Sequence, residues 1–198
     1  MSGTCAGLDD LLEDIRGCRV CAQALPHNPR PVVRVSTSAR LLICGQAPGT
    51  RVHASGMPFT DPSGVRLRAW LGMSGEEFYD QARVAIVPMG FCFPGLDAKG
   101  GDKPPRKECA PLWRPRLQPY LTNVRLTLAI GSYAHRWYFP GAGKRPMIDM
   151  VRDWRATEKV IPLPHPSWRN NRWLKDNPWF DAELVPELRR RVAEALAD

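Results

Sequence analysis

The sequence predicts an α/β fold, a four-stranded parallel sheet covered by helices on both faces as a three-layer α/β/α sandwich. Three observations predict it. Four short apolar runs are spread along the chain, helical patterns lie between them, and most runs stop at a Gly or Pro followed by polar residues. Strands buried on both faces read as continuous apolar runs, whereas half-exposed strands alternate. Strands that alternate with helices form parallel sheets through crossover connections.

The first run is residues 40–44. After it, Ser63 is the expected cap of a helix whose inward face is Leu67, Trp70 and Leu71 and whose stop is Gly72. The second run is residues 83–87, and the stretch 94–106, rich in Gly, Pro and Lys, is the one long irregular segment. From Glu108 to Tyr120, prolines at 111, 115 and 119 kink or shorten any helix, because each lacks the backbone donor. The third run is residues 125–130 and the fourth residues 159–163. Pro186 opens a last helix that buries Leu188, Val192 and Leu196 at four-residue spacing. There is no internal repeat and no domain-sized linker, so residues 1–198 are read as one domain.

With 43% hydrophobic and 24% charged residues, the 198-residue chain can bury a full-sized core. No apolar stretch approaches the ~18–20 residues of a membrane span, and residues 1–14 lack the pattern of a secretory signal. A cytosolic location is expected. There thiols stay reduced, so paired cysteines point to metal before disulfides. The formal charge of +8 favours a polyanionic partner, since neutralising phosphates releases counterions. Seven tryptophans, several beside Arg, suit base stacking.

In open parallel sheets, ligands bind beyond the carboxyl ends of the strands. The segment after the first run is Gly45-Gln46-Ala47-Pro48-Gly49, a tight turn whose backbone N–H groups can cradle an anion or a carbonyl. It leads to His53, Phe59 and Asp61: an aromatic face can hold a flat base, and a carboxylate can activate water. Asp61 is equally suited to cap the helix near Ser63. After the fourth run come Pro164-His165-Pro166-Ser167-Trp168-Arg169-Asn170-Asn171, in which two prolines hold one His rigid. Cys18 and Cys21 form a C-x-x-C pair, and Cys92 and Cys109 follow with sixteen residues between them. Four such thiolates can ligate zinc or an iron–sulfur cluster. Cys44 lies inside a run and reads as a small core residue.

Gly45-Gln-Ala-Pro-Gly49, then Gly56-Met-Pro-Phe59, then His165-Pro-Ser167 resemble the two active-site motifs of the uracil-DNA glycosylase superfamily. The four cysteines resemble, in order and spacing, those of its iron–sulfur families 4 and 5. The resemblance implies hydrolysis of the N-glycosidic bond of uracil in DNA, the start of base excision repair, by a monomer that flips the base from the stack. It implies a 4Fe–4S cluster on Cys18, Cys21, Cys92 and Cys109. That cluster would tie down the N-terminal segment and the 94–106 loop, neither of which has an obvious core of its own. Gly45 and the amides around Gln46 and Ala47 would bind a uracil carbonyl, Phe59 would stack on the base, and His165 would donate towards uracil O2. Ser167 and Arg169 would grip the DNA backbone.

Three departures from the family pattern stand out. Gln46 and Ala47 occupy positions where families 4 and 1 carry a carboxylate, and Asp61 is the expected replacement. The second run ends Val87-Pro88-Met89-Gly90, without the Asn that reads uracil in families 1 and 4. Asn170 is the candidate substitute, and hypoxanthine or xanthine becomes an alternative substrate. His53, in the loop after the first motif, is a candidate DNA contact. A protein that binds uracil-containing DNA without cutting it is the other class of reading.

Overall fold

The computed structural model describes residues 3–142 and 145–197. In chain order the elements are α1 (Gly3–Arg16), β1 (Leu41–Cys44), α2 (Thr50–Ser55), α3 (Pro62–Leu71), α4 (Gly75–Tyr79), β2 (Val84–Ile86), α5 (Cys109–Leu117), β3 (Leu126–Ile130), α6 (Gly131–Tyr138), α7 (Met147–Arg152), β4 (Val160–Leu163), α8 (Asn171–Asp176) and α9 (Val185–Leu196). All four expected strands form. They pair in parallel in the order β2-β1-β3-β4, with Ile43 beside Ile86, Cys44 beside Ala129 and Ile130 beside Leu163. Pro162, which cannot donate to a ladder, lies in β4, an edge strand that has only β3 as a neighbour.

Side chains alternate across the sheet and build one core on each face. Leu41, Ile43, Val84, Ile86, Leu128 and Ile161 pack on one side with Leu67, Trp70 and Leu71 of α3 and Leu188 and Val192 of α9. Leu42 and Ala85, with Val87 just past β2, pack on the other with Trp113 and Leu117 of α5 and with Leu8, Leu11, Leu12 and Ile15 of α1. This corrects the expectation that the N-terminal segment lacks a core of its own. Its leucines and isoleucine recur at three- and four-residue spacing, so α1 presents a continuous apolar stripe and docks against α5. Among the described residues no helix is long and apolar enough to cross a membrane.

The prolines of the fifth helix shape it without preventing it. Pro111 falls in the first turn, where a backbone donor has no partner anyway. Pro115 lies inside the helix, and α5 ends two residues later in a 3-10 turn, Gln118–Tyr120, that contains Pro119. The N-cap of α3 is Asp61 rather than Ser63: its Oδ1 accepts the Gly64 N–H at 3.2 Å and the Ser63 hydroxyl at 2.5 Å.

The chain leaves β1 towards β2 on one side and returns to β3 on the other. A crevice therefore opens beyond the carboxyl end of β1, where the segments after β1, β2 and β4 meet.

Candidate active site

The crevice holds a cleft of about 590 Å³ measured out to its solvent mouth. The turn after β1, the loop carrying Phe59 and Asp61, Ile86 and Pro88 at the end of β2, Asp102 and His165 line it. Gly45 and His165, 120 positions apart in the chain, thus share one space.

The turn is held by the neighbouring strand. Gly45 O accepts from Met89 N and Gln46 O from Gly90 N, both at 2.9 Å, which extends the β1–β2 ladder into the loops. No acceptor within the described residues is recorded for the Gln46 and Ala47 N–H groups, so two donors remain for a ligand. The Gln46 side chain points elsewhere: Nε2 donates to Lys103 O at 3.4 Å and ties the turn to the 94–106 segment.

Phe59 is the one described non-glycine residue in the left-handed region, with φ 56°. That conformation costs about 1–3 kcal/mol and survives only where the surroundings impose it. Its carbonyl accepts from the Tyr79 hydroxyl at 2.9 Å and Arg68 Nη1 at 3.3 Å, and its ring meets Phe78 edge-on at 5.9 Å. A Cβ on Gly45 would lie 3.5 Å from Phe59 Cζ, so the ring lies over the turn. The chain passes so close behind Phe59 that a Cβ on Gly64 would sit 1.8 Å from Phe59 O. Gly64→Ala is expected to push Phe59 out of register, lowering the single-turnover rate of the reaction in this cleft by about 10²-fold, the cost of an ångström-scale misplacement. Single-turnover assays beside thermal melts check this, and an unchanged rate would contradict it.

His165 is fixed from several directions. Asn170 Nδ2 donates to His165 O at 2.6 Å, and Arg66 Nη1 donates to Ser167 O at 3.1 Å from α3. Beneath it, buried His135 sets Nε2 3.0 Å from both Ala129 O and Leu163 O, clasping the ends of β3 and β4. Burial pushes the His165 imidazole below its ordinary pKa; Arg169 adds to this, while Asp61 and Asp102 oppose it. The ring is therefore neutral at neutral pH and can offer one N–H.

Ser167 and Arg169 lie just past His165, outside the cleft lining. Trp168 between them is 73% exposed, an unburied ring next to the Arg169 guanidinium at 5.7 Å. Two expected residues lie elsewhere. Asn170 does not line the cleft; its amide is spent on the His165 carbonyl. His53 belongs to α2 and stacks with His27 at 4.0 Å and near Phe93 at 5.9 Å, away from the cleft lining.

Asp102 is the cleft residue that sequence reasoning missed. The segment around it, expected to be irregular, is a tight hairpin: Leu96 bridges Asp102 antiparallel, Asp97 N donates to Gly101 O at 2.7 Å, and Lys103 N donates to Gly95 O at 2.9 Å. Asp97 Oδ1 accepts the Lys99 and Gly101 N–H groups at 2.8 Å each and braces the tip. The only signal in the sequence is a carboxylate between two glycines and Lys-Pro-Pro.

The four cysteines meet in a second space behind the cleft. Cys18, Cys21, Cys92 and Cys109 line one cavity with Phe91, Leu112 and Trp113. N–H donors point at the sulfurs: Phe91 N donates to Cys109 Sγ at 3.3 Å, the Arg30 amide to Cys92 and the Arg106 side chain to Cys21. Cys109 is also the first residue of α5, where the helix dipole favours a thiolate, but burial outweighs this and pushes the pKa of the free thiol up to about 12. Among the described residues no three metal-binding side chains are grouped to hold a single metal ion. Four thiols that line one cavity are a donor set of the kind that ligates a metal group. Buried Arg114 of α5 links this site to the cleft, donating to Val87 O at 2.8 Å, Pro88 O at 3.4 Å and Cys44 Sγ at 3.3 Å.

The sequence matches the family described as the Uracil DNA glycosylase superfamily over residues 33–189. It is also 27% identical over 160 residues to a protein from Thermotoga maritima named Type-4 uracil-DNA glycosylase, covering 79% of each chain.

Proposed function

Because the chain belongs to the uracil DNA glycosylase superfamily, we propose that it removes uracil from DNA by hydrolysing the N-glycosidic bond, initiating base excision repair. The observation that carries this reading is the convergence of His165, Phe59 and the free turn amides on one cleft beyond the parallel strands. Breaking the bond leaves an electron pair on the base and positive charge on the sugar. Fixed dipoles aimed at the leaving base are the main source of rate in such chemistry.

The flipped base enters the cleft and stacks on Phe59. The amides of Gln46 and Ala47 take one carbonyl, and the neutral His165 ring donates to another as negative charge grows on it. Asp61 spends Oδ1 on Ser63 and Gly64, so its contribution is a fixed negative charge opposite the sugar cation. Ser167, Trp168 and Arg169 meet the DNA around the extruded nucleotide, a cation and an aromatic face together suiting backbone and bases. Cys18, Cys21, Cys92 and Cys109 would hold a 4Fe–4S cluster, which braces the loops behind the cleft when bound. The chain acts as a single-domain monomer.

The end of β2 offers Ile86 and Pro88 to the base edge, with no amide side chain. This apolar wall favours a second reading in which hypoxanthine or xanthine is also accepted. The test is alkali cleavage of labelled single-stranded oligonucleotides carrying one uracil, hypoxanthine or xanthine. Uracil release is the expected result. Release of a purine alone would redirect the specificity, and binding of the uracil strand without release of any base would make the chain a non-catalytic reader.

A further inference from the structure

We propose that Asp102, rather than Asp61, is the group that takes the proton from the attacking water; the assignment rests on the glycosylase reading above. The two carboxylates in the cleft lining differ in how they are committed. Asp61 is the N-cap of α3, and one of its oxygens already holds two donors. Displacing either donor would uncap the helix that carries Gly64, the residue closest behind Phe59. With Oδ1 committed to two donors, only the other oxygen of Asp61 is left to meet a water.

Asp102 has no such duty. No hydrogen bond or ion pair to its side chain is recorded within the described residues, yet its backbone is pinned by the Leu96 bridge and the Asp97-braced tip. It stands at the rim of the cleft, open to solvent on one side and facing the motif turn on the other. A Cβ on Gly49 would lie 3.5 Å from Asp102 Oδ2 and 3.9 Å from Oδ1, so both oxygens abut the turn. That turn, Gly45 to Gly49, carries no carboxylate of its own, and the hairpin sets one beside its last residue from another part of the chain.

The surroundings also suit a base. Burial raises the Asp102 pKa above the usual carboxylate value, with Asp61 and Asp97 adding to the rise and Arg169 and His165 opposing it. A higher pKa makes a stronger base. In the step, the water oxygen bonds to C1′ of the deoxyribose and one water proton passes to Asp102. The other stays on the new hydroxyl, and the C1′–N bond breaks with its electron pair going to the base. His165 and the turn amides hold that anion until it takes a proton from solvent, and Asp102 releases its own to solvent.

The test is single-turnover base release by wild type, Asp102→Asn, Asp102→Glu and Asp61→Asn across pH 4–9, with DNA binding followed by anisotropy. Asp102→Asn is expected to slow release by about 10²–10⁴-fold, the usual worth of a positioned base. DNA binding should hold or tighten, because a negative charge facing phosphates is gone. The rate needs the ionised carboxylate, so wild-type activity should fall as pH drops through the raised Asp102 pKa. That acid limb should vanish from the residual activity of Asp102→Asn, persist in Asp61→Asn, and reappear with formate or in Asp102→Glu. An Asp102→Asn enzyme as fast as wild type overturns the assignment alone, as does loss of the acid limb in Asp61→Asn instead. A wild type that frees no base overturns the glycosylase reading and this assignment with it.

Discussion

Replacing His165 with Ala is expected to slow single-turnover base release by about 10²–10³-fold, the cost of deleting one preorganised donor from a developing anion. Burial holds the imidazole neutral, so the loss is that of one N–H dipole and not of a cation. Binding of uracil-containing DNA should change little, since the charge on the base that His165 answers grows only as the bond breaks. The comparison variant is His165→Gln, whose amide keeps an N–H and should recover part of the rate. The pH dependence is informative as well. Protonating His165 at low pH adds a positive charge beside the leaving base, so its titration alone would not depress the rate; an acid limb must come from a carboxylate. Equal loss of binding and rate in His165→Ala would make the residue a ground-state contact instead.

Replacing Cys109 with Ala is expected to bleach the protein and destabilise it by about 3–5 kcal/mol, within the range for losing a structural metal. For a chain of this size, that corresponds to a melting temperature roughly 10 °C lower. Wild type should be brown, with absorbance near ~400 nm, as thiolate-ligated iron clusters are. The physical reason lies in α5. Its first residue is Cys109, its second and third turns contribute Trp113 and Leu117 to the core, and its Arg114 holds the carbonyls at the end of β2. Releasing the helix at its start therefore loosens the core and the cleft wall together. Absorbance, iron content and melting curves check the prediction; stoichiometric zinc in a colourless wild type would overturn it.

The strands were legible because each is a continuous apolar run, a pattern that needs no knowledge of its neighbours. The same holds for Leu67, Trp70 and Leu71, and for His165 between two prolines. Asp61 was harder, because a helix cap and a catalytic carboxylate look alike in one dimension; only the Ser63 and Gly64 bonds show the cap. Helix α1 was readable in Leu8, Leu11, Leu12 and Ile15, but acidic residues between them masked the stripe. Asn170 and His53 lay in the right segments, and their partners, a backbone carbonyl and a second His, could not be seen from the sequence. Asp102 was invisible for a different reason. A hairpin held by Asp97 and Gly101 sets its position, and nothing local announces that this hairpin docks on a turn some fifty residues earlier in the chain.

The fully buried residues of the core that packs α1 and α5 against the sheet all lie between Leu8 and Leu117, with Tyr138 packed against them from beyond β3. The cysteines fall in the same span, whereas the opposite core needs residues as late as Leu196. During synthesis, therefore, the four cysteines and the fully buried residues of that first layer are made before β3. That layer can begin to settle on a half-built sheet, while β1 still shows one unpaired edge to the cell. The interval before residues 126–130 arrive leaves that edge open to mispairing, and early packing of one face shortens it.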